Sequence, residues 1–229
     1  MSGRWAQTLR QQAVRSRVPF IAESAPQAGG LYLGPANWAR SRDLRRHPGS
    51  DIAAQADRAE ILLISLDELT NATDRMNGFL AGFRQTFPGQ VTAHQVQGRG
   101  FLKDVIRQSR DAFRTHPGIN VVFGVNDHTI LGALEVAERM GHDVAAYSVG
   151  GEGDALFDAL ASGGRLRATL ALFPEVVGRV AIDTVGRCFA GEPAGEAVIT
   201  PAVVLTPETL PDFYRSEADH WRLDPVVLD

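Results

Sequence analysis

Short, continuously apolar runs alternate with amphipathic helical stretches along this sequence, and the alternation recurs often enough to dictate the fold class. The clearest unit is a run at 120–123, then a helical segment 127–140 that puts Ile130, Leu131, Leu134 and Ala137 on one face, a stop at Gly141, and a second run at 144–149. Runs without polar alternation are what strands buried on both faces require, and a helix between consecutive strands makes them parallel neighbours with right-handed crossovers. The same reading applies at 61–65 with helix 74–87, where Met76, Phe79, Leu80 and Phe83 face inward, and at 91–96 with helix 102–115, where Leu102, Val105, Ile106 and Phe113 do. Helix 154–161 follows the run at 144–149. The run at 167–171 precedes helix 174–190, with Val177, Val180, Ala181 and Phe189 inward. The fold class is α/β, with parallel sheets covered by helices on both faces.

The flanks are less regular. A first helix places Trp5, Leu9 and Ala13 inward at four-residue spacing; short runs follow at 18–21 and 31–33, then an Arg-rich helical stretch 36–58 broken at His47-Pro48-Gly49. After Gly191, 197–200 and 203–205 are strand-like, Pro201, Pro207 and Pro211 break up the next segment, and 215–229 is expected to be a loosely packed extension. With 229 residues, 44% of them hydrophobic, the chain can bury one large core or two modest ones. A net charge of −4 gives no positive field for nucleic acid, and the arginines of 40–46 are too few to replace one. No apolar stretch is long enough to span a membrane, and the N-terminus lacks the apolar core of a secretory signal. The one cysteine, Cys188, makes no internal disulfide and rules out thiol-rich zinc and CxxC chemistry.

Enzyme and cofactor signatures are missing: no GxSxG, HExxH or P-loop spacing occurs, and the histidines are scattered. Gly151-Glu152-Gly153-Asp154 lies between a strand and a helix, as a dinucleotide loop would, but lacks the third glycine; a tight strand-to-helix turn is the rival reading. Asp67, Glu68 and Asp74 form an acidic group open to two readings, a metal site or, for Asp74, a charge at a helix N-terminus. Ligands of open parallel sheets sit outside the carboxyl ends of the strands, and there the residues are mostly small or polar: 66–71, 124–127, 150–154 and 172–174. Asp127 is read as the cap of its helix, which leaves the amide of Asn126 for a hydroxylated ligand. Arg75 is read as opening its helix, where the dipole disfavours a cation and a ligand contact would compensate; an ordinary surface arginine is the alternative.

Four blocks in order, residues 71–79 (NATDRMNGF), 121–134 (VVFGVNDHTILGAL), 151–156 (GEGDAL) and 168–178 (ATLALFPEVVG), resemble the type I periplasmic sugar-binding proteins of the ribose-binding group, whose fold is shared by the effector domains of lac-repressor-type regulators. The resemblance covers roughly 18–205. It implies two α/β lobes joined by three crossing segments and closing by a hinge on a ligand in an interlobe cleft. The lobes would be 1–34 with 172–200, and 35–171 with 201–214, followed by a tail, 215–229. It implies that Arg75 and Asn126 contact sugar hydroxyls, that Phe101 packs on the sugar face, and that Gly150 and Leu172 stand at ligand positions.

Three positions depart from the family pattern: Gly150 replaces an Asp, Leu172 a Gln, and Ala22-Glu23 an Asp-Arg pair. Unpaired hydroxyls are costly, so either a less polar ligand or weakened binding is expected, and Asp at 150 with Gln at 172 is expected to raise pentose affinity. The family's initial β-α-β-α portion has no counterpart here, so the N-terminal lobe is expected to be incomplete and its apolar surface open. The function implied is the non-enzymatic solute-binding component of an ABC importer, needing no cofactor, partnered by a permease, and periplasmic or extracellular. The effector-binding core of a transcription regulator remains the second reading.

Overall fold

The computed structural model describes residues 3–46, 57–193 and 195–224, and the chain divides into two compact units, Met1–Ala36 with Phe173–Pro201 and Asn37–Leu172 with Ala202–Asp229. The first unit has helix α1 (Gly3–Ser16), strands β1 (Ile21–Glu23) and β2 (Leu31–Gly34), helix α7 (Pro174–Phe189) and strand β8 (Ala197–Ile199). Its strands pair in parallel in the order β1-β2-β8. Pro174 starts α7 where its missing N–H is no loss. Leu33 and Ala22 are buried, but two side chains expected inward are not: Leu9 is 54% exposed and Phe189 66%. For Phe189 the cause is dimensional: it is the last residue of a 16-residue helix that runs about 24 Å, whereas strands of 3–4 residues cover about 10–13 Å, so this helix end overhangs the sheet. Trp5, the third residue of that expected face, has a side chain outside the described set.

The second unit is built on a six-stranded sheet of β3 (Arg58–Ser65), β4 (Gln90–Gln97), β5 (Val121–Gly124), β6 (Ala145–Gly150), β7 (Leu166–Ala171) and β9 (Val203–Leu205), ordered β4-β3-β5-β6-β7-β9. Five strands are parallel; β9 closes the far edge antiparallel to β7. Strand β3 carries a ladder on each side, with Ile61 opposite both Ala93 and Val121, and its Ile61 to Ser65 are buried, as a central strand requires. Helices α3 (Thr70–Thr86), α4 (Leu102–Thr115), α5 (Asp127–Met140) and α6 (Asp154–Ala161) are the crossovers, and α2 (Asn37–Asp43) packs on α3. No described helix is long and apolar enough to cross a membrane.

The core is aromatic at its centre. Phe79 of α3 stacks on Phe123 of β5 at 4.3 Å, with Phe83 and Tyr147 within 6 Å of it, and all four are fully buried. Leu102, expected inward, is exposed, because it starts α4 beyond the part that Val105, Ala112 and Phe113 pin to the sheet. The helical stretch read over 36–58 is shorter: α2 ends at Asp43, a 3-10 turn spans Leu44–Arg46, and Arg58 already belongs to β3. The His47-Pro48-Gly49 turn lies outside the described residues.

Residues 214–223 form a packed hairpin where a loose extension was expected over 215–229; 225–229 lie outside the described residues. Strands β10 (Tyr214–Glu217) and β11 (His220–Leu223) pair antiparallel around Ala218 and Asp219, both at positive φ, as a twisted two-residue turn demands. The hairpin is fastened to α6. The Trp221 backbone N–H donates to Asp154 Oδ1 at 2.7 Å, His220 Nδ1 lies 2.7 Å from Asp154 Oδ2, Trp221 Nε1 donates to Asp158 Oδ1 at 2.8 Å, and Phe157 packs on Tyr214 at 4.3 Å.

Two glycines set the approach of α2 to α3. A Cβ on Gly78 would overlap the Trp38 carbonyl oxygen, and one on Gly82 would meet the Arg42 carbonyl oxygen at 2.5 Å. Gly78→Ala gains about 1 kcal/mol of helix propensity but must push a backbone away, an overpacking cost of about 1–3 kcal/mol. The expected outcome is a lower midpoint in chemical denaturation, and a raised midpoint would show that the helices do not need this contact.

Candidate ligand-binding site

In the order β4-β3-β5, the chain leaves β3 to one side and returns on the other, so the sheet's switch point lies between the carboxyl ends of β3 and β5. Arg75 bridges this crevice. It stands in the second turn of α3, just after β3, and its Nη1 donates to the Val125 carbonyl, just after β5, at 3.1 Å. Its Nε donates to Asn37 Oδ1 at 2.8 Å, and the side chain is only 8% exposed. The expected helix start at 74 is thereby corrected to Thr70, so neither Arg75 nor Asp74 feels the dipole of a helix end as supposed. The cap position is Leu69, which offers no side-chain acceptor and so leaves no signal in the sequence.

Asn126 follows Val125, and its role is also revised. It is Asn126, not Asp127, that caps α5: its Oδ1 accepts from Thr129 N at 3.0 Å, and Thr129 Oγ1 accepts from Asn126 N at 3.0 Å, a reciprocal capping box. The amide is therefore held in place by its oxygen, with the Nδ2 donor at the other end of the same group.

Asp127 turns instead toward the loop after β6. Its Oδ1 accepts from Gly151 N and its Oδ2 from Glu152 N, both at 2.9 Å. This carboxylate fills the ring of N–H groups that a phosphate would need, which settles Gly151-Glu152-Gly153-Asp154 as a tight turn into α6 rather than a dinucleotide loop. Gly150, at φ +153°, is part of the same arrangement, because a Cβ there would overlap Asp127 Oδ1. An aspartate at 150 would have to displace the Asp127 carboxylate and adopt a φ that side chains rarely take, a cost that weighs against the expected gain in pentose affinity. Leu172 is likewise a core residue: it is buried with Val149, Tyr147 and Leu170, and its N–H donates to the Gly150 carbonyl at 2.9 Å. A glutamine at 172 would bury an amide among these groups.

Phe101 is at the start of α4 after β4, 61% exposed and with Lys103 Nζ 5.9 Å from its ring. The acidic group does not converge. Asp67 is engaged by Gln95 Nε2 at 2.9 Å, Asp74 is exposed on α3, and no metal-holding group of acidic, His or Cys residues occurs among the described residues. Arg75 and Asn126 are thus brought together through Val125, and the turn at Gly150 meets the same edge through Asp127, which follows Asn126. Asn37 was missed in the sequence because it falls in a stretch read only as Arg-rich helix.

Burial raises the Asp127 carboxyl above its ordinary value of 3.8, against the backbone N–H groups of Glu152, Gly151 and Gly153 and the charge of His128, which pull it down. The folded chain thus binds this proton more tightly than the unfolded chain. The stability contributed is fully present below 3.8 and is lost as pH rises through the raised value. Asp127→Asn, which cannot titrate, should be less stable than wild type at low pH, and the gap should narrow as pH rises through that window. Urea melts across the window check this; a gap that widens with pH would refute the sign.

No family model matches the chain. It is 32% identical over 138 residues to the ribose import binding protein RbsB of Bacillus subtilis (strain 168), a match that takes in 52% of this chain and 44% of that protein, less than half its length. Solved structures align over far more of the chain. An ABC transporter solute-binding protein from Mycobacterium smegmatis with bound glycerol superposes with a TM-score of 0.80 at 21% identity, over 93% of this chain and 74% of that one. One from Actinobacillus succinogenes 130z with bound D-allose superposes with a TM-score of 0.79 at 16% identity, over 89% and 74%. The chain is thus similar over 138 residues to a bacterial ribose import binding protein and has the α/β fold of solved ABC transporter solute-binding proteins.

Proposed function

We propose that the chain acts as the solute-binding component of an ABC-type importer and takes a sugar or a similar small polar molecule, with no catalytic step. The observation that supports this most directly is the pair Arg75 and Asn126 at the switch point of a chain homologous to a ribose import protein. Both are held by the protein itself before any ligand arrives, which lowers the ordering cost of binding. An amide donor and a guanidinium are suited to the oxygens of hydroxyl groups. The Asp127 carboxylate already fills the nearby backbone donors, which disfavours a phosphorylated sugar and favours a neutral one. By the same reading the partner is an ABC permease and the compartment is periplasmic or extracellular.

Titration calorimetry of the chain with D-ribose, D-allose and D-arabinose is the first test, and saturable binding of at least one sugar is expected. Asn126→Asp keeps the capping oxygen but removes the amide donor, so it should bind at least about tenfold more weakly while melting no lower than wild type. Absence of saturable binding with all three sugars would overturn the reading. Wild-type affinity in Asn126→Asp would remove Asn126 from the site.

A further inference from the structure

We infer that Asn37 is a positioning residue of this site: it fixes the guanidinium plane of Arg75 and ties it to the point where the chain enters the second unit. The inference rests on the sugar-binding reading above and extends it to a residue that does not itself need to touch the ligand.

Asn37 is the first residue of its unit and of α2, and only 7% of it is exposed. Its Oδ1 accepts from Arg75 Nε at 2.8 Å, while Arg75 Nη1 donates to the Val125 carbonyl at 3.1 Å. Guanidinium is planar, so two acceptors on different nitrogens define both its position and its rotation, which one acceptor would leave free. Val125 precedes Asn126, whose oxygen is locked in the capping box. A continuous line of hydrogen bonds and one peptide link thus runs from Asn37 through Arg75 to the two residues proposed to meet the sugar.

Chemistry and placement both suit the role. The amide oxygen orients the guanidinium through a hydrogen bond to Nε, a contact that any acceptor of the same reach can supply. The preceding residues are themselves fastened within the first unit: Tyr32 OH donates to the Pro35 carbonyl at 2.5 Å, and Thr200 N donates to the Gly34 carbonyl at 3.0 Å.

The test uses the full chain and two variants. Asn37→Asp keeps the acceptor; Asn37→Leu keeps the size and removes it. Two quantities are read: the exchange of the Arg75 Nε–H proton with water by NMR without ligand, and D-ribose affinity by calorimetry. Asn37→Leu is expected to speed the exchange and weaken D-ribose binding by at least about tenfold each, with Asn37→Asp within about threefold of wild type in both. Should Asn37→Leu fail to fold, Asn37→Ser, whose hydroxyl is too short to reach Nε, gives the same comparison. Unchanged affinity in the variant lacking the acceptor would overturn the inference. So would equal loss in both variants with the Nε–H proton still protected, which would mean that Asn37 acts by some other contact. If the wild type binds no D-ribose, the sugar reading fails for this probe, and slow exchange that Asn37→Leu leaves unchanged would sink the Asn37 inference by itself.

Discussion

A guanidinium with less than a tenth of its surface in water has to be met by polar groups, since an unsatisfied buried cation costs several kcal/mol. That requirement at Arg75 organises much of the second unit. Its acceptors come from segments distant in sequence, Asn37 at the start of α2 and Val125 at the end of β5, so burying one side chain of α3 sets where both must lie. The glycines of α3 serve the same end. Gly78 and Gly82 present no side chain to α2, so its backbone comes close enough for Asn37 to reach Arg75. On the adjoining face of α3, about 100° round the helix, Phe79 and Phe83 anchor it to the sheet. The helix is thus apolar toward β5, bare toward α2, and cationic toward the switch point.

The other half of the carboxyl edge is governed by a carboxylate. Asp127 is taken into the turn after β6, where it accepts from two backbone N–H groups and occupies the space that a side chain at 150 would need. Gly150 and Asp127 are therefore one device, and neither is interpretable alone. The glycine is required because the aspartate is there, and the aspartate is affordable in a half-buried place because the glycine-rich turn supplies donors.

The parts of the fold that were legible are those where burial dictates the residue type. The strands of the second sheet are apolar because they are covered on both faces, and the helices α4, α5 and α6 begin and end where the 3.6-residue pattern does. What was not legible depends on partners far away in sequence. The start of α3 carries no capping side chain, so only the packed structure shows that Arg75 lies in its second turn. Asn126 and Asp127 are both capping residues by type, and which of them caps α5 is decided by the donors of residues 151 and 152, more than twenty positions on. The hairpin after residue 213 lacks the glycine of a typical two-residue turn, and its order comes from Asp154, Asp158 and Phe157 on α6. Phe189 looks like a core residue in any periodic reading, yet it ends a helix that outruns the short strands of its unit.

Taken together, the groups at this edge are unlike those of a reaction centre. A nucleophile or general base has to be close to its partner and free to change protonation state or form a bond during turnover. Here the amide oxygen of Asn126 is tied to a backbone N–H, the Asp127 carboxylate to two, and Arg75 to an amide and a carbonyl. Under the sugar-binding reading proposed above, what this fastening gives up in chemical reactivity it returns as groups already ordered before a ligand arrives.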